Sequence, residues 1–351
     1  MILNAFKWGF PYGIMKDILT RLHEAHGREV ENALLKYLAI DAAPGFIEAI
    51  KYQVATGGKR VRPLITIEAA RACGGDAGGA VPYAAIVELI HNYSLIYDDI
   101  IDRGDVRRGL PTVRRKYGDN AAILIGIWYR EAIEEAVLET RNPIEVARAT
   151  AKAIKAIDEG ERLDVLMEHS GRTDPYFMDN LIRDVSPDLL DKYLTMIRLK
   201  TAELIKFAAW MGAYSARGDE ACLKAMSEFG LSVGMAFQIV DDVLDIFGDV
   251  RKFGKEVGKD VKEHKLGNIV ILLSALEGKR ELLDIIGKPS IGEGDVKRAI
   301  ELIGSTDSRV RAMDMANKYM EAGLRALDAI PSSEAKENLI ELAKFIVYRE
   351  Y

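Results

Sequence analysis

Two acidic stretches constrain this chain more than anything else in it. Tyr97-Asp98-Asp99-Ile100-Ile101-Asp102 and Val240-Asp241-Asp242-Val243-Leu244-Asp245 share the spacing Asp-Asp-x-x-Asp, and each is set in an apolar run. On a helix the first and third acids of each lie one turn apart on one face, with the middle acid beside them. Three carboxylates among apolar neighbours repel one another and cannot all be buried unpaired. One such cluster reads as a solvated face. Two of identical spacing predict a strongly cationic object held between them.

The frame around them is helical. Apolar residues recur with helical periodicity over almost the whole chain, and no alternating strand pattern stands out. The pattern predicts helices from about Gly13 to Ile40, on to Ala55, and from Val81 to Arg103, the last carrying the first acids. Further helices are expected over Asn120–Thr140, Pro143–His169, Asp188–Ser215 and Asp219–Phe247, the last carrying the second acids. Asn268–Ile286, Glu293–Ile303, Ser308–Ile330 and Ser333 onward complete the set, with Ser170–Pro187 an irregular excursion. No linker-like run separates two domains, so 1–351 reads as one all-α domain.

Composition narrows the function. At 49% hydrophobic and 29% charged residues the 351-residue chain has an ordinary globular make-up. A net charge of −6 argues against a nucleic-acid binder. Cys73 and Cys222 make no disulfide framework, and neither has a metal-ligand partner in the sequence, so a reducing, cytoplasmic setting is expected. No apolar run is long enough for a signal peptide or a membrane span. Phe6, Trp8, Phe10 and Tyr12 read as packing or interface residues.

Chemistry enters with the basic residues. Lys59, Arg60 and Arg62 follow Gly57-Gly58, Arg107 and Arg108 follow the first acids, and Lys200, Lys255 and Lys259 flank the second. Arginine can grip a phosphate with two parallel bonds. Facing aspartates suit Mg²⁺, which prefers oxygen ligands and shares them with phosphate. Zinc lacks its His and Cys partners, a di-iron site lacks its Glu-x-x-His pairs, and the glycine turn is not a P-loop. Ser94 and His91 lack the context of a hydrolase. Anion-holding cations alternating with metal-holding acids fit a substrate with a diphosphate head and an apolar tail.

These motifs, in order, resemble the trans-isoprenyl diphosphate synthases: Gly57-Gly58-Lys59-Arg60-Val61-Arg62-Pro63, His91 through Asp102, Arg107-Arg108-Gly109, Lys200-Thr201 and Phe237-Gln238-x-x-Asp241-Asp242. The stretch His91–Tyr97 is most similar to archaeal-type geranylgeranyl and farnesyl diphosphate synthases. The resemblance implies an isoprenoid-synthase-type helical bundle around a deep central cavity, usually a homodimer. It implies that Asp98, Asp99 and Asp102, with Asp241, Asp242 and Asp245, hold about two or three Mg²⁺ ions. Lys59, Arg62, His91 and Arg108 would position isopentenyl diphosphate. Arg107, Lys200 and Lys259 would contact the allylic diphosphate, with Thr201 and Gln238 near the reacting carbons. The implied reaction is ionisation, condensation and elimination.

Some positions depart from the family's pattern. Gly126-Ile127 stands where Gly-Asp is common, Glu161 takes the place of Gln in Gly160-Glu161-Arg162-Leu163-Asp164, and Gly267-Asn268 replaces Thr-Leu. Tyr93, five residues before Asp98 and so about 7.5 Å along the helix, occupies the place of a tail-pocket floor. The expected product is geranylgeranyl diphosphate (C20), with farnesyl diphosphate (C15) as the alternative. A terpene cyclase would lack the Gly-Gly-Lys-Arg turn, and a non-catalytic subunit of a heteromer would have lost acidic residues.

Overall fold

The computed structural model describes residues 18–170, 172–182, 185–248 and 257–348. Phe6, Trp8, Phe10, Tyr12 and Lys255 lie outside the described residues. Among those described, the architecture is all-α, as expected. The single sheet among them pairs Val106–Arg107 antiparallel with Leu110–Pro111. This corrects the strand-free reading, since two residues are too few to show alternation. Arg108 and Gly109 close the pair with φ of 55° and 75°, the doubly positive signature of a tight hairpin turn.

Three expected helices are interrupted, the first of them by a π-helical turn, His23–Gly27, ahead of Arg28–Ala39. The run from Asp188 to Ser215 comprises Asp188–Ile197, a π-helical turn Arg198–Ala202 and Glu203–Ser215. The run from Asn268 to Ile286 breaks into Ile269–Leu276 and Arg280–Ile286. The excursion after Ser170 contains a short helix, Pro175–Asn180. No helix among the described residues is long and apolar enough to cross a membrane.

The chain divides into two compact units. One comprises 18–147, 208–226 and 328–348 of the described residues. Its centre is the helix Ala77–Ile101, buried from Tyr83 to Ile90, a run that is apolar except for Glu88. The Asp76 carboxylate starts this helix by accepting from Gly79 N at 2.8 Å. Helices Val61–Ala72 and Asp119–Leu138 pack along it, and Glu334–Val347 packs on Val61–Ala72.

Cys73 and Cys222, both in this unit, are joined in a disulfide with Cα atoms 6.3 Å apart. The expectation of unpaired thiols is thereby corrected. The pair spans 149 residues of sequence. It becomes close only because the end of helix Val61–Ala72 meets the first turn of helix Glu220–Phe247.

The other unit comprises Arg148–Phe207 and Ser227–Leu327. Helix Ile269–Leu276 lies at its core, with Ile269 through Ala275 all buried. Helices Asp188–Ile197, Glu293–Gly304 and Ser308–Ala326 surround it. Asn268 caps its start, accepting from Val270 N at 3.0 Å and Ile271 N at 3.4 Å, a contribution of about 1 kcal/mol. The Gly267-Asn268 departure thus serves as a helix start.

Candidate active site

The first acidic cluster ends helix Ala77–Ile101, with Asp102 as its C-terminal cap. Carboxylates there oppose the helix dipole and need a cation. Asp98 and Asp102 offer oxygens within 4.8 Å of each other. Asp99 turns inward, only 3% exposed. Arg107 reaches it from the small hairpin, with Nε 3.1 Å from both Asp99 oxygens and Nη2 2.9 Å from Oδ1. The same Nη2 donates to Asp98 Oδ2 at 2.6 Å. Burial opposes the charge on Arg107, yet Asp99 and Asp98 hold its pKa above the ordinary arginine value.

In the same unit the cationic turn is wound tightly. Gly57, Gly58 and Arg60 have φ of 81°, 143° and 49°, which a Cβ tolerates poorly at the first two positions. Lys59 is exposed and sits 5.2 Å from the Phe345 ring centre. Arg108 donates to Gly57 O across the turn. Arg62 Nη1 lies 3.3 Å from His91 Nε2. Burial, reinforced by Arg62, Arg108, Arg107 and Arg60, pushes the His91 pKa well below the usual histidine value, so the ring is neutral. Burial pushes Arg108 down, and Arg60 and Arg107 act in the same direction. Several guanidinium groups gathered about one glycine turn make a place for an anion.

The second acidic cluster lies in the other unit, near the end of helix Glu220–Phe247. Here too the middle acid turns inward, with Asp242 only 5% exposed. It accepts from Tyr193 Oη at 2.7 Å, Gln238 Nε2 at 2.8 Å and Ile269 N at 3.0 Å. Burial first, and then Asp260, push the Asp242 pKa well up. Burial and Asp260 also push Asp245 up to about 8. Asp245 Oδ2 accepts from Asp260 N at 3.1 Å. Burial and the neighbouring Asp260 carboxylate thus both resist charge on this cluster.

Lys200 and Thr201 stand on the π-helical turn, a distortion that often accompanies function. Thr201 Oγ1 donates to Gln238 Oε1 at 2.7 Å, which extends a chain through Gln238 to Asp242. Lys200 Nζ is 2.8 Å from Glu161 and 2.6 Å from Asp164, and Lys265 also reaches Asp164 at 3.3 Å. Burial would raise Asp164, but Lys200 and Lys265 hold it well below the ordinary carboxylate range. Gly160 makes this possible. A Cβ there would lie 2.6 Å from Lys200 Cα, so only glycine lets the two backbones meet. Lys259 points outward and pairs with Glu263 at 3.0 Å.

Residues 44–303 match the family model described as polyprenyl synthetase. The chain belongs to the polyprenyl synthetase family. A geranylfarnesyl diphosphate synthase from Aeropyrum pernix is 36% identical over 307 residues, covering 84% of this chain and 92% of that protein. A geranylgeranyl diphosphate synthase from Saccharolobus solfataricus is 34% identical over 313 residues, covering 86% and 90%. Among solved structures, a Caulobacter crescentus polyprenyl synthase complexed with calcium and isoprenyl diphosphate superposes with a TM-score of 0.83. It is 33% identical and covers 95% of this chain and 98% of that one. Prenyl transfer is therefore the chemistry of this polyprenyl synthetase.

In the polyprenyl synthetase, Asp98, Asp102, Arg62, His91 and Arg108 belong to one unit, while Lys200, Thr201, Gln238 and Asp241 belong to the other. The site assignment missed two residues. Asp164 holds two lysines, and Asp260 crowds Asp242 and Asp245. Asp164 lies in the Gly160-Glu161-x-x-Asp motif already noted, and Asp260 directly follows Lys259, so adjacency to recognised motifs was the available signal.

Proposed function

We propose that the chain condenses isopentenyl diphosphate with an allylic diphosphate to make geranylgeranyl diphosphate. The observation that carries this reading is helix Ala77–Ile101. It bears a neutral His91 beside Arg62 and, two turns on, the Asp98–Asp102 pair. One helix thus serves an anion and a cation. The relatives named as diphosphate synthases, and the Caulobacter protein with its calcium and isoprenyl diphosphate, support the substrate class.

Magnesium fits the donor set, which is carboxylate oxygen throughout. Asp98 and Asp102 would hold it in one unit and Asp241 and Asp245 in the other, and bound there it would stabilise charge on a departing diphosphate. Asp99 and Asp242 have their oxygens taken by Arg107 and by Tyr193, Gln238 and Ile269. They act behind the ligands, fixing the helix that presents them. Lys59, Arg62 and Arg108 grip the isopentenyl diphosphate, while neutral His91 contributes a hydrogen bond without adding charge. Arg107, Lys200 and the outward-pointing Lys259 are the cations assigned to the allylic diphosphate. Thr201 and Gln238 form a neutral polar pair suited to a passing carbocation. The allylic C–O bond breaks, the isopentenyl double bond attacks the cation, and the released diphosphate takes the proton, with water kept out.

The reading treats 1–351 as one functional domain, supported by a family match that runs through both units. Ile123, Leu124 and Ile127 are exposed along one face of helix Asp119–Leu138, which supports a homodimer. Tyr93, packed 5.0 Å from the Tyr97 ring, is the proposed floor of the tail pocket. The test is elongation from C5, C10 and C15 primers with isopentenyl diphosphate and Mg²⁺, with products sized by chromatography. A C20 product is expected, and Tyr93→Ala should lengthen it. No elongation from any primer would refute the synthase reading, and an unchanged Tyr93→Ala product would refute the floor.

A further inference from the structure

Under the cationic turn lies an ion pair with no part in the chemistry described above. Arg60 sits between Lys59 and Arg62 in sequence, but its side chain goes the other way. Lys59 is exposed, whereas Arg60 is 2% exposed. The left-handed backbone at Arg60 (φ 49°, ψ 32°) makes this reversal, a conformation that residues with a Cβ adopt only when their surroundings enforce it. The guanidinium shows what enforces it. Nη1 donates to Glu88 Oε1 at 2.9 Å and to Gly57 O at 3.4 Å, and Nη2 donates to Val54 O at 2.8 Å. Glu31 adds a longer ion pair at 3.6 Å. One planar group therefore joins the end of helix Ile47–Ala55, the glycine turn and the middle of helix Ala77–Ile101.

Glu88 is itself buried, and Asn92 braces it by donating to Glu88 O at 2.7 Å and to Oε1 at 3.3 Å. It lies one helical turn before His91, the partner of Arg62. We propose that Arg60 and Glu88 are positioning residues, a buried clamp that sets the glycine turn so that Lys59 and Arg62 meet the isopentenyl diphosphate together with His91. The proposal rests on assigning that turn to isopentenyl diphosphate. Lysine could not replace Arg60, because a single ammonium lacks the rigid fork that spans three acceptors on three elements. The pair also cancels its own charge, leaving the positive field of Lys59, Arg62 and Arg108 to the substrate.

The test compares Arg60→Lys, Glu88→Gln and the double variant Arg60→Met/Glu88→Leu with the wild type. Each is measured for steady-state kinetics in both substrates, for melting temperature, and for hydrogen exchange at the Gly57–Lys59 amides. In the single variants the KM for isopentenyl diphosphate should rise by about tenfold or more, with kcat and the allylic KM within about threefold. Exchange at the turn should quicken. The double variant should recover melting temperature, since well-packed apolar groups can replace a buried pair, but not the isopentenyl KM. Single variants with wild-type isopentenyl KM would overturn the clamp, as would a double variant that regains KM along with stability. A wild type that elongates no primer removes the substrate assignment instead, and unchanged exchange at the turn would then overturn the clamp.

Discussion

The two acidic helices carry the same motif and solve its electrostatics in opposite ways. In both, the middle aspartate turns inward. Asp99 meets a guanidinium, and the result is a charged, compensated pair. Asp242 meets a phenol, an amide and a backbone N–H, and with Asp260 nearby its charge is resisted. Identical spacing therefore does not mean identical electrostatics. The first cluster is compensated by an internal cation, and the second is met by neutral hydrogen-bond donors.

The sharpest way to break this comparison is to remove an outward-facing acid from each helix. Asp98→Ala and Asp245→Ala should each lower kcat by about 10²–10³-fold or more, the scale of losing a group aimed at developing charge. Excess Mg²⁺ should raise the melting temperature of the wild type by mass action. That rise should shrink more in Asp245→Ala than in Asp98→Ala, because Asp98 already shares the Arg107 guanidinium, whereas the charge on Asp245 is resisted by burial and Asp260. Equal shrinkage in calorimetric scans would mean that the two clusters depend on metal alike.

The starts of the two helices differ as well. Asp76 caps the first, and Asp219 caps the second by accepting from Cys222 N at 2.8 Å, but only the second is also anchored by a disulfide. Reduction should cost about 2–4 kcal/mol of stability, since the bridge closes a long loop. Urea unfolding of the Cys73→Ser/Cys222→Ser variant measures it. A midpoint matching the oxidised wild type would deny the bridge any role in holding this helix.

Next in size are the inward acids. Arg107→Gln leaves Asp99 buried without its counter-charge and should cost about 2 kcal/mol, less than a fully buried pair because Arg107 is 29% exposed. Asp242→Asn removes a charge that its site already disfavours but turns an amide N–H toward one of its donors, and should cost about 1 kcal/mol. If Asp242→Asn proves the more damaging of the two in urea unfolding, the contrast between the clusters is wrong.

What the sequence revealed and what it hid follow from the range of the interactions. Helix content and the two acidic faces depend on periodicity over a few residues, and both were legible. Which acid turns inward depends on Arg107 in one case and on Tyr193 and Ile269 in the other, partners that only the fold supplies. Asp164 was quoted only as part of a motif because its lysines lie 36 and 101 residues away. The π-turn at Lys200 is a matter of hydrogen-bond register, which residue types do not announce. The disulfide was misread because compartment was inferred from the number of cysteines while their proximity was still hidden.

The smallest expected effect separates the two helices at their other functional position. Aligned on their acids, the first helix has Glu88 and His91 where the second has Leu231 and Gly234, so only the first brings a titrating ring among cations. Burial, reinforced by the charges of Arg62, Arg108, Arg107 and Arg60, holds the folded pKa of His91 well below 6.5. Between that depressed value and 6.5 the unfolded chain takes up a proton that the folded chain refuses. The linkage therefore lowers stability as pH falls through this window, and has no effect above it. The slope reaches at most about 1.4 kcal/mol per pH unit, one proton's worth. Urea unfolding of the wild type and His91→Gln between about pH 5.5 and 7.5 isolates it, because acids common to both proteins cancel in the difference. The wild type should lose stability relative to His91→Gln on acidification. A difference independent of pH would show that His91 is not held neutral, and would return the ring to the charged side of the comparison.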